Sequence, residues 1–172
     1  RPEGGDWEAC MTFNGISWGY VDSKQAAKYS YNAQQIIRML NRCAAGGGNL
    51  LLNIGPAPDG SVPEEAVEPL TTVGEWLALN GKAVYGKMTR IGRDVAGGNG
   101  VCGCSCSGNF VYLWNWIWPS GGTMAIGGYK KSPKAIRFLH DGTPVDFEHK
   151  GHRIILKNLP EECPAPVAGI TV

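Results

Sequence analysis

GGGNLLLNIGPAPDG, residues 46–60, sets three leucines between a glycine run and a proline-rich exit. A strand with one face in water alternates polar and apolar residues, whereas Leu50, Leu51 and Leu52 ask for burial on both faces. That is the pattern of a parallel-sheet strand covered on either side. The flanks agree with it. Residues 31–45 place Ala33, Ile36, Ile37, Leu40 and Ala44 on one helical stripe, and the glycines end that helix. Downstream, Ser61 and Glu64 have capping-box spacing and open a second helix carrying Val67, Leu70, Val73 and Leu77. Pro69 lies inside that helix and is expected to kink or split it, because it lacks a backbone donor. Helix, buried strand, helix is a slice of an α/β architecture.

The chain of 172 residues is 43% hydrophobic and 18% charged, a composition that favours a folded body over a disordered one. Its formal net charge of +1 offers no footprint for nucleic acid or an anionic membrane surface. No apolar run approaches the roughly 20 residues of a membrane span. The six cysteines include Cys102, Cys104 and Cys106, which share one face if they form a strand. Metal-ligand spacing of the Cys-x-x-Cys kind does not occur, so small buried or half-buried residues are the expectation for the cysteines, with pairing or metal binding as the alternatives. No metal site and no cofactor are implied.

The hydrophobic period changes near residues 86–90. Before it, the short strand Glu8–Phe13 and the leucine strand alternate with helices. Beyond it come FVYLWNWIWP (110–119), AIRFLHDGTPVDFEH (135–149), HRIILKNLP (152–160) and VAGITV (167–172), separated by Gly, Pro or Asp-Gly. That spacing reads as an antiparallel sandwich, with Asp141-Gly142 as a tight hairpin turn between 135–140 and 145–149. Two apolar strands cannot close a sheet that expects neighbours on both sides, and a (β/α)8 barrel needs about 250 residues. The expectation is therefore α/β followed by all-β: residues 1–86 as the terminal portion of a (β/α)8-like barrel, and 87–172 as a β-sandwich, both cut from a larger enzyme.

DWEACMTFNGISWGY (6–20), AAGGGNLLLNIGPAPDGSVP (44–63) and VGEWLALNGKAVYG (73–86) follow one another in an order and spacing that resemble glycoside hydrolase family 29, the retaining α-L-fucosidases. The resemblance is close over residues 6–86. It is looser through FVYLWNWIWP, RFLHDGTPVDF and RIILKNLP, which look like that family's C-terminal sandwich. It implies a fucosylated glycan as substrate and two catalytic carboxylates about 5–5.5 Å apart. The family nucleophile is an Asp in a Trp-Asn-Asp-like strand end, which this sequence lacks. The family's acid/base Glu lies upstream of the pair matched here by Trp7-Glu8. The resemblance thus places neither catalytic carboxylate within this chain. Glu8 opens its strand and so falls at the end opposite a barrel's active face, where a structural role is expected. Glu3 lies in RPEGG, too short a match to carry the acid/base role.

Trp18 follows the strand end and matches the family position where an aromatic lies beside the fucose ring and its C6 methyl. The alternative is a loop indole packed on its neighbours. Asn14, before Gly15, is a candidate donor to a sugar hydroxyl or else a turn former. Asn53 is expected to seat neighbouring loops. Trp114, Trp116 and Trp118 would share one face of a strand, with Val111, Leu113 and Ile117 on the other. An exposed row would make a carbohydrate-binding or accessory module, whereas a buried one would be sandwich core packed on the barrel helices. His140, His149 and His152 read as surface or hairpin residues.

Overall fold

A computed structural model gives the fold over residues 5–89, 102–164 and 169–171. β1 (Glu8–Thr12) and β2 (Asn49–Asn53) pair in parallel, with Thr12 opposite Asn53 at their C-terminal ends. Parallel neighbours need a crossover, which α1 (Ser23–Ala26) and α2 (Ala33–Ala45) supply. A capping box starts α2. The Asn32 side chain accepts from the Gln35 N–H at 2.9 Å, and the Gln35 side chain accepts from the Asn32 N–H at 2.9 Å.

The glycines that end α2 serve the neighbouring indole. Gly47 takes φ +68°, the left-handed turn that leaves the helix. Trp7 lies across Gly46 and Gly48: a Cβ on Gly48 would come 2.1 Å from the ring, and one on Gly46 would come 2.6 Å from it. The indole N–H donates to the Gly46 carbonyl at 3.0 Å. The glycine run is thus a flat seat for Trp7 as well as a helix stop.

The leucine strand departs from expectation. Leu50 and Leu52 are half-buried, but Leu51 is 43% exposed, and Glu8 and Cys10 on β1 are exposed as well. The parallel pair is covered on the face that carries Leu52 and bare on the other. Two strands with helices on one side can bury only one set of alternating side chains.

α3 (Glu64–Asn80) also corrects two expectations. Its N-cap is Pro63, without a side-chain cap, and the Ser61 hydroxyl donates to Asp59 instead, at 2.7 Å. Proline's fixed φ suits entry into a helix, and Glu64 and Glu65 supply negative charge to the first turn. The helix then runs through Pro69 unsplit. Pro69 is only the sixth residue, and buried Ala66, Val73 and Trp76 hold the segments before and after it against one core. A short 3₁₀ turn, Gly81–Ala83, closes the segment.

All later strand pairings are antiparallel. One sheet has the order β3-β4-β8, from Cys102–Ser107, Phe110–Asn115 and Gly169–Thr171. The other has the order β5-β7-β6, from Met124–Gly127, Arg153–Lys157 and Asp146–Lys150. β6 and β7 form the tight hairpin, with Lys150 opposite Arg153 across Gly151-His152. Gly151 has φ +60° at the first turn position, as a type II′ turn requires. The hairpin expected at Asp141-Gly142 is present in short form: Arg137 bridges Pro144, and the Phe138 N–H donates to the Thr143 carbonyl and the Val145 N–H to the Ile136 carbonyl, both at 2.9 Å.

β4 separates two cores. Leu113 packs with Met124, Ile126, Phe138, Ile154 and Leu156 of the second sheet. Tyr112 and Trp114 point the other way and join Phe13, Ile36, Ile37, Val73 and Trp76 in a cluster shared with the helices. The three tryptophans therefore do not make one face. Trp114 is fully buried, its ring centroid 5.0 Å from that of Trp76 and 6.1 Å from that of Trp116. β4 ends at Asn115, so alternation lapses and Trp118 falls into the second core, 6.4 Å from Phe138. Ile117, expected on the inner side, is exposed.

Two outcomes follow from this packing. Trp114→Ala removes the indole that links the helices to the sheet and should cost about 3–5 kcal/mol in urea unfolding. A loss below about 1 kcal/mol would contradict the shared core. On the outer face of the β6–β7 hairpin, Glu148 accepts from Lys150 and Lys157, both at 2.8 Å. These hydrogen bonds lower its pKa from 4.5 to about 2. A carboxylate depressed in the folded state contributes fully above its unfolded pKa and loses that contribution as the pH falls through the folded one. The unfolding midpoints of the parent chain and Glu148→Gln should therefore differ at pH 7 and converge between pH 4.5 and 2. A gap independent of pH would rule the pairing out.

Candidate functional site

The C-terminal ends of β1 and β2 lie side by side, and the segment 14–20 leaves from them. Asn14 begins it as a turn former. Its side chain is 2% exposed, and its Oδ1 accepts from the N–H groups of Ile16 at 2.8 Å and Ser17 at 2.9 Å. One buried acceptor thus satisfies two backbone donors and closes the loop onto itself. Its Nδ2 has no acceptor among the described residues. The Ser17 hydroxyl accepts from the Gly19 N–H at 3.1 Å, tightening the next step.

The strand ends hold the loop from beneath. The Thr12 hydroxyl donates to the Ser17 carbonyl at 2.7 Å, and Asn53 Nδ2 donates to the Trp18 carbonyl at 2.8 Å. Gly55 has φ +59°, and a Cβ there would meet the Gly19 carbonyl oxygen at 2.7 Å. Against this fixed backbone the Trp18 side chain stands 56% exposed, with Ile16 and Tyr20 exposed beside it in sequence. An exposed indole whose flanking carbonyls are both hydrogen-bonded is placed to cover an apolar surface.

The carboxylates of the adjoining loops are occupied. Asp22 accepts from the Lys24 N–H at 3.1 Å as the cap of α1. Asp59 takes both the hydroxyl and the N–H of Ser61, and these bonds hold its pKa below the usual carboxylate range. A carboxylate held below the usual range, as at Asp59, is the opposite of what a general acid needs. Glu8 lies at the opposite end of β1 and is exposed, with the Cys10 thiol 3.8 Å from its Oε1. Glu3 falls outside the described residues. No three His, Cys, Asp or Glu side chains come together as metal ligands would among the described residues. No helix there is long and apolar enough to cross a membrane.

A groove of about 500 Å³ runs between β1 and α2, lined by Ala9, Met11, Tyr31, Met39, Arg42 and Leu50. It lies along the flank of the strands, away from Trp18, and no residue of the 14–20 loop lines it. Among the histidines, His149 contacts the Tyr129 carbonyl at 2.9 Å and His140 lies 3.4 Å from Asp141, both in the second sheet's periphery. The sites that sequence reasoning missed are Thr12 and Gly55. A threonine in a strand and a glycine before a proline carry no signal until the register sets them under the loop.

The segment that carries this loop has relatives. The α-L-fucosidase family profile matches residues 2–82. Residues 2–82 are thus the part of the chain that carries the α-L-fucosidase likeness. The human plasma α-L-fucosidase is 31% identical over 162 residues, which cover 90% of this chain and 34% of that protein. The α-L-fucosidase of Dictyostelium discoideum is 41% identical over 80 residues, 46% of this chain and 17% of its own length. In fold, the chain matches the Thermotoga maritima α-fucosidase crystallised with fucose at a TM-score of 0.82 and 24% identity, over 98% of this chain and 40% of that one. The chain thus spans about a third of the length of its full-length fucosidase relatives.

Proposed function

We propose that this chain forms the C-terminal portion of a retaining α-L-fucosidase, releasing terminal α-L-fucose from glycans. Residues 1–86 contribute the last strands of its (β/α) barrel, and residues 87–172 form its β-sandwich. The observation that carries this reading is the Trp18 loop, fastened at the C-terminal ends of two parallel strands within the segment that matches the family. Ligands of such strand arrangements gather at that end. The bare face of β1 and β2, with Leu51 in water, suits strands that expect further neighbours.

In this reading the exposed indole of Trp18 covers the deoxy face of fucose, where the C6 methyl offers an apolar patch. Asn14 keeps its Nδ2 for a sugar hydroxyl while its Oδ1 holds the loop. The nucleophilic carboxylate attacks the anomeric carbon to form a covalent glycosyl intermediate, and water then releases the sugar with net retention. Both carboxylates belong to strands outside this chain, in keeping with Asp22 and Asp59 being spent on turns. The carbohydrate-binding reading of the tryptophan row has no support, since Trp114 is buried and Trp118 serves another core.

The 172 residues alone should give no release of aryl alcohol from an aryl α-L-fucoside; measurable turnover would refute the division of labour. In the full-length enzyme, Trp18→Ala should raise KM by about tenfold, the scale of one lost aromatic contact. Unchanged KM would remove Trp18 from the sugar site.

A further inference from the structure

Trp18 is more than half exposed, so its backbone has the larger share in setting its direction. The peptide before Trp18 ends in the Ser17 carbonyl, and the peptide after it begins with the Trp18 carbonyl. Each is held by a different strand: Ser17 by the Thr12 hydroxyl at 2.7 Å, Trp18 by Asn53 Nδ2 at 2.8 Å. The two anchors are cross-strand partners in the parallel ladder and touch each other, with Asn53 Nδ2 donating to Thr12 Oγ1 at 3.3 Å. Thr12 uses its one proton on Ser17 and receives one from Asn53. Asn53 Oδ1 meets the Gly55 N–H at 3.4 Å, so the exit from β2 shares the arrangement.

We propose that Thr12 and Asn53 are a positioning pair, a hydrogen-bonded clamp across the ends of β1 and β2 that fixes both peptides flanking Trp18 and so presents its indole to the sugar. The sugar part of this inference rests on the function proposed above; the clamp itself does not. Neither residue touches the reacting atoms. Asn14 closes the loop from within, through the N–H groups of Ile16 and Ser17, whereas Thr12 and Asn53 hold its carbonyls. Losing the clamp therefore leaves a closed loop whose indole wanders. A pre-set side chain saves the ordering cost at binding, so its loss appears in affinity rather than in turnover.

The test compares Thr12→Val, which keeps the shape and loses the donor, with Thr12→Ser, which keeps the hydroxyl. In the ¹⁵N-labelled chain, the Trp18 indole resonance is the one absent from Trp18→Phe. Thr12→Val and Asn53→Ala should shift or broaden it and speed amide exchange at Gly19, in the peptide that Asn53 holds, about tenfold, while Ser17, still on Asn14, and the β7 amides stay protected. Thr12→Ser should retain the parent signal. An indole resonance and exchange rates unmoved in both Thr12→Val and Asn53→Ala would overturn the clamp, as would failure of Thr12→Ser to restore them. In the full-length enzyme, Thr12→Val should weaken inhibition by L-fucose about tenfold with kcat within about twofold, and Thr12→Ser should restore it. If Trp18→Ala weakens fucose binding and Thr12→Val does not, the positioning role falls while the sugar site stands. If Trp18→Ala has no effect, the sugar site itself falls, and only the spectroscopic result bears on the clamp.

Discussion

Trp114 leaves β4 on the side away from its own sandwich and meets Trp76 of α3 with no solvent between them. The join between the helices and the antiparallel sheets depends on that contact. A strand inside a sandwich ordinarily gives one face to its partner sheet and the other to water. β4 gives Leu113 to the partner sheet and Tyr112 and Trp114 to the helices, so it belongs to two cores at once. The helices in turn bury Ile36, Ile37 and Val73 in the cluster that receives Trp114, and Phe13 enters it from the end of β1. Unfolding either half would expose the apolar surface of the other, which ties the parallel pair and the antiparallel sheets into one cooperative body.

The position of Phe13 in that cluster also sets where the loop begins. A fully buried aromatic immediately after β1 fixes the strand end, so Thr12 and Asn14 on either side must point away from the core by alternation or turn back into the loop. Both do so, one with its hydroxyl on Ser17 and the other with its amide on Ile16 and Ser17. The polar residues at this edge are spent on backbone groups, and the apolar one, Trp18, is left in water. That inversion of the usual distribution is what singles this edge out as the candidate site: a buried polar atom needs a partner, whereas an exposed indole gains only when something covers it.

Elements with a strong period could be read directly from the residues. The stripe of α2, the β1 and β2 strands and the glycine stop between them follow from side-chain spacing alone. Reading failed where tertiary contacts outrank local preference. Ser61 and Glu64 have the spacing of a capping box, yet Pro63 already fixes the backbone for helix entry and Asp59 claims the hydroxyl. Pro69 has the signature of a helix break, yet it falls in the first turns of α3 and the helix runs through it. Trp114, Trp116 and Trp118 alternate in sequence, but alternation means one face only while the strand lasts, and β4 ends at Asn115.

The leucine run shows the remaining gap between pattern and packing. Three consecutive leucines state that both faces of β2 are meant to be covered, and the fold covers one. Leu51, on the bare face with Asn49 and with Glu8 and Cys10 of the neighbouring strand, is 43% exposed. An exposed leucine flanked by polar side chains is common on a protein surface. One at the centre of a parallel strand is not, because parallel pairing is found where both faces are buried. The same face ends, two residues further along each strand, in the Thr12–Asn53 pair beneath Trp18.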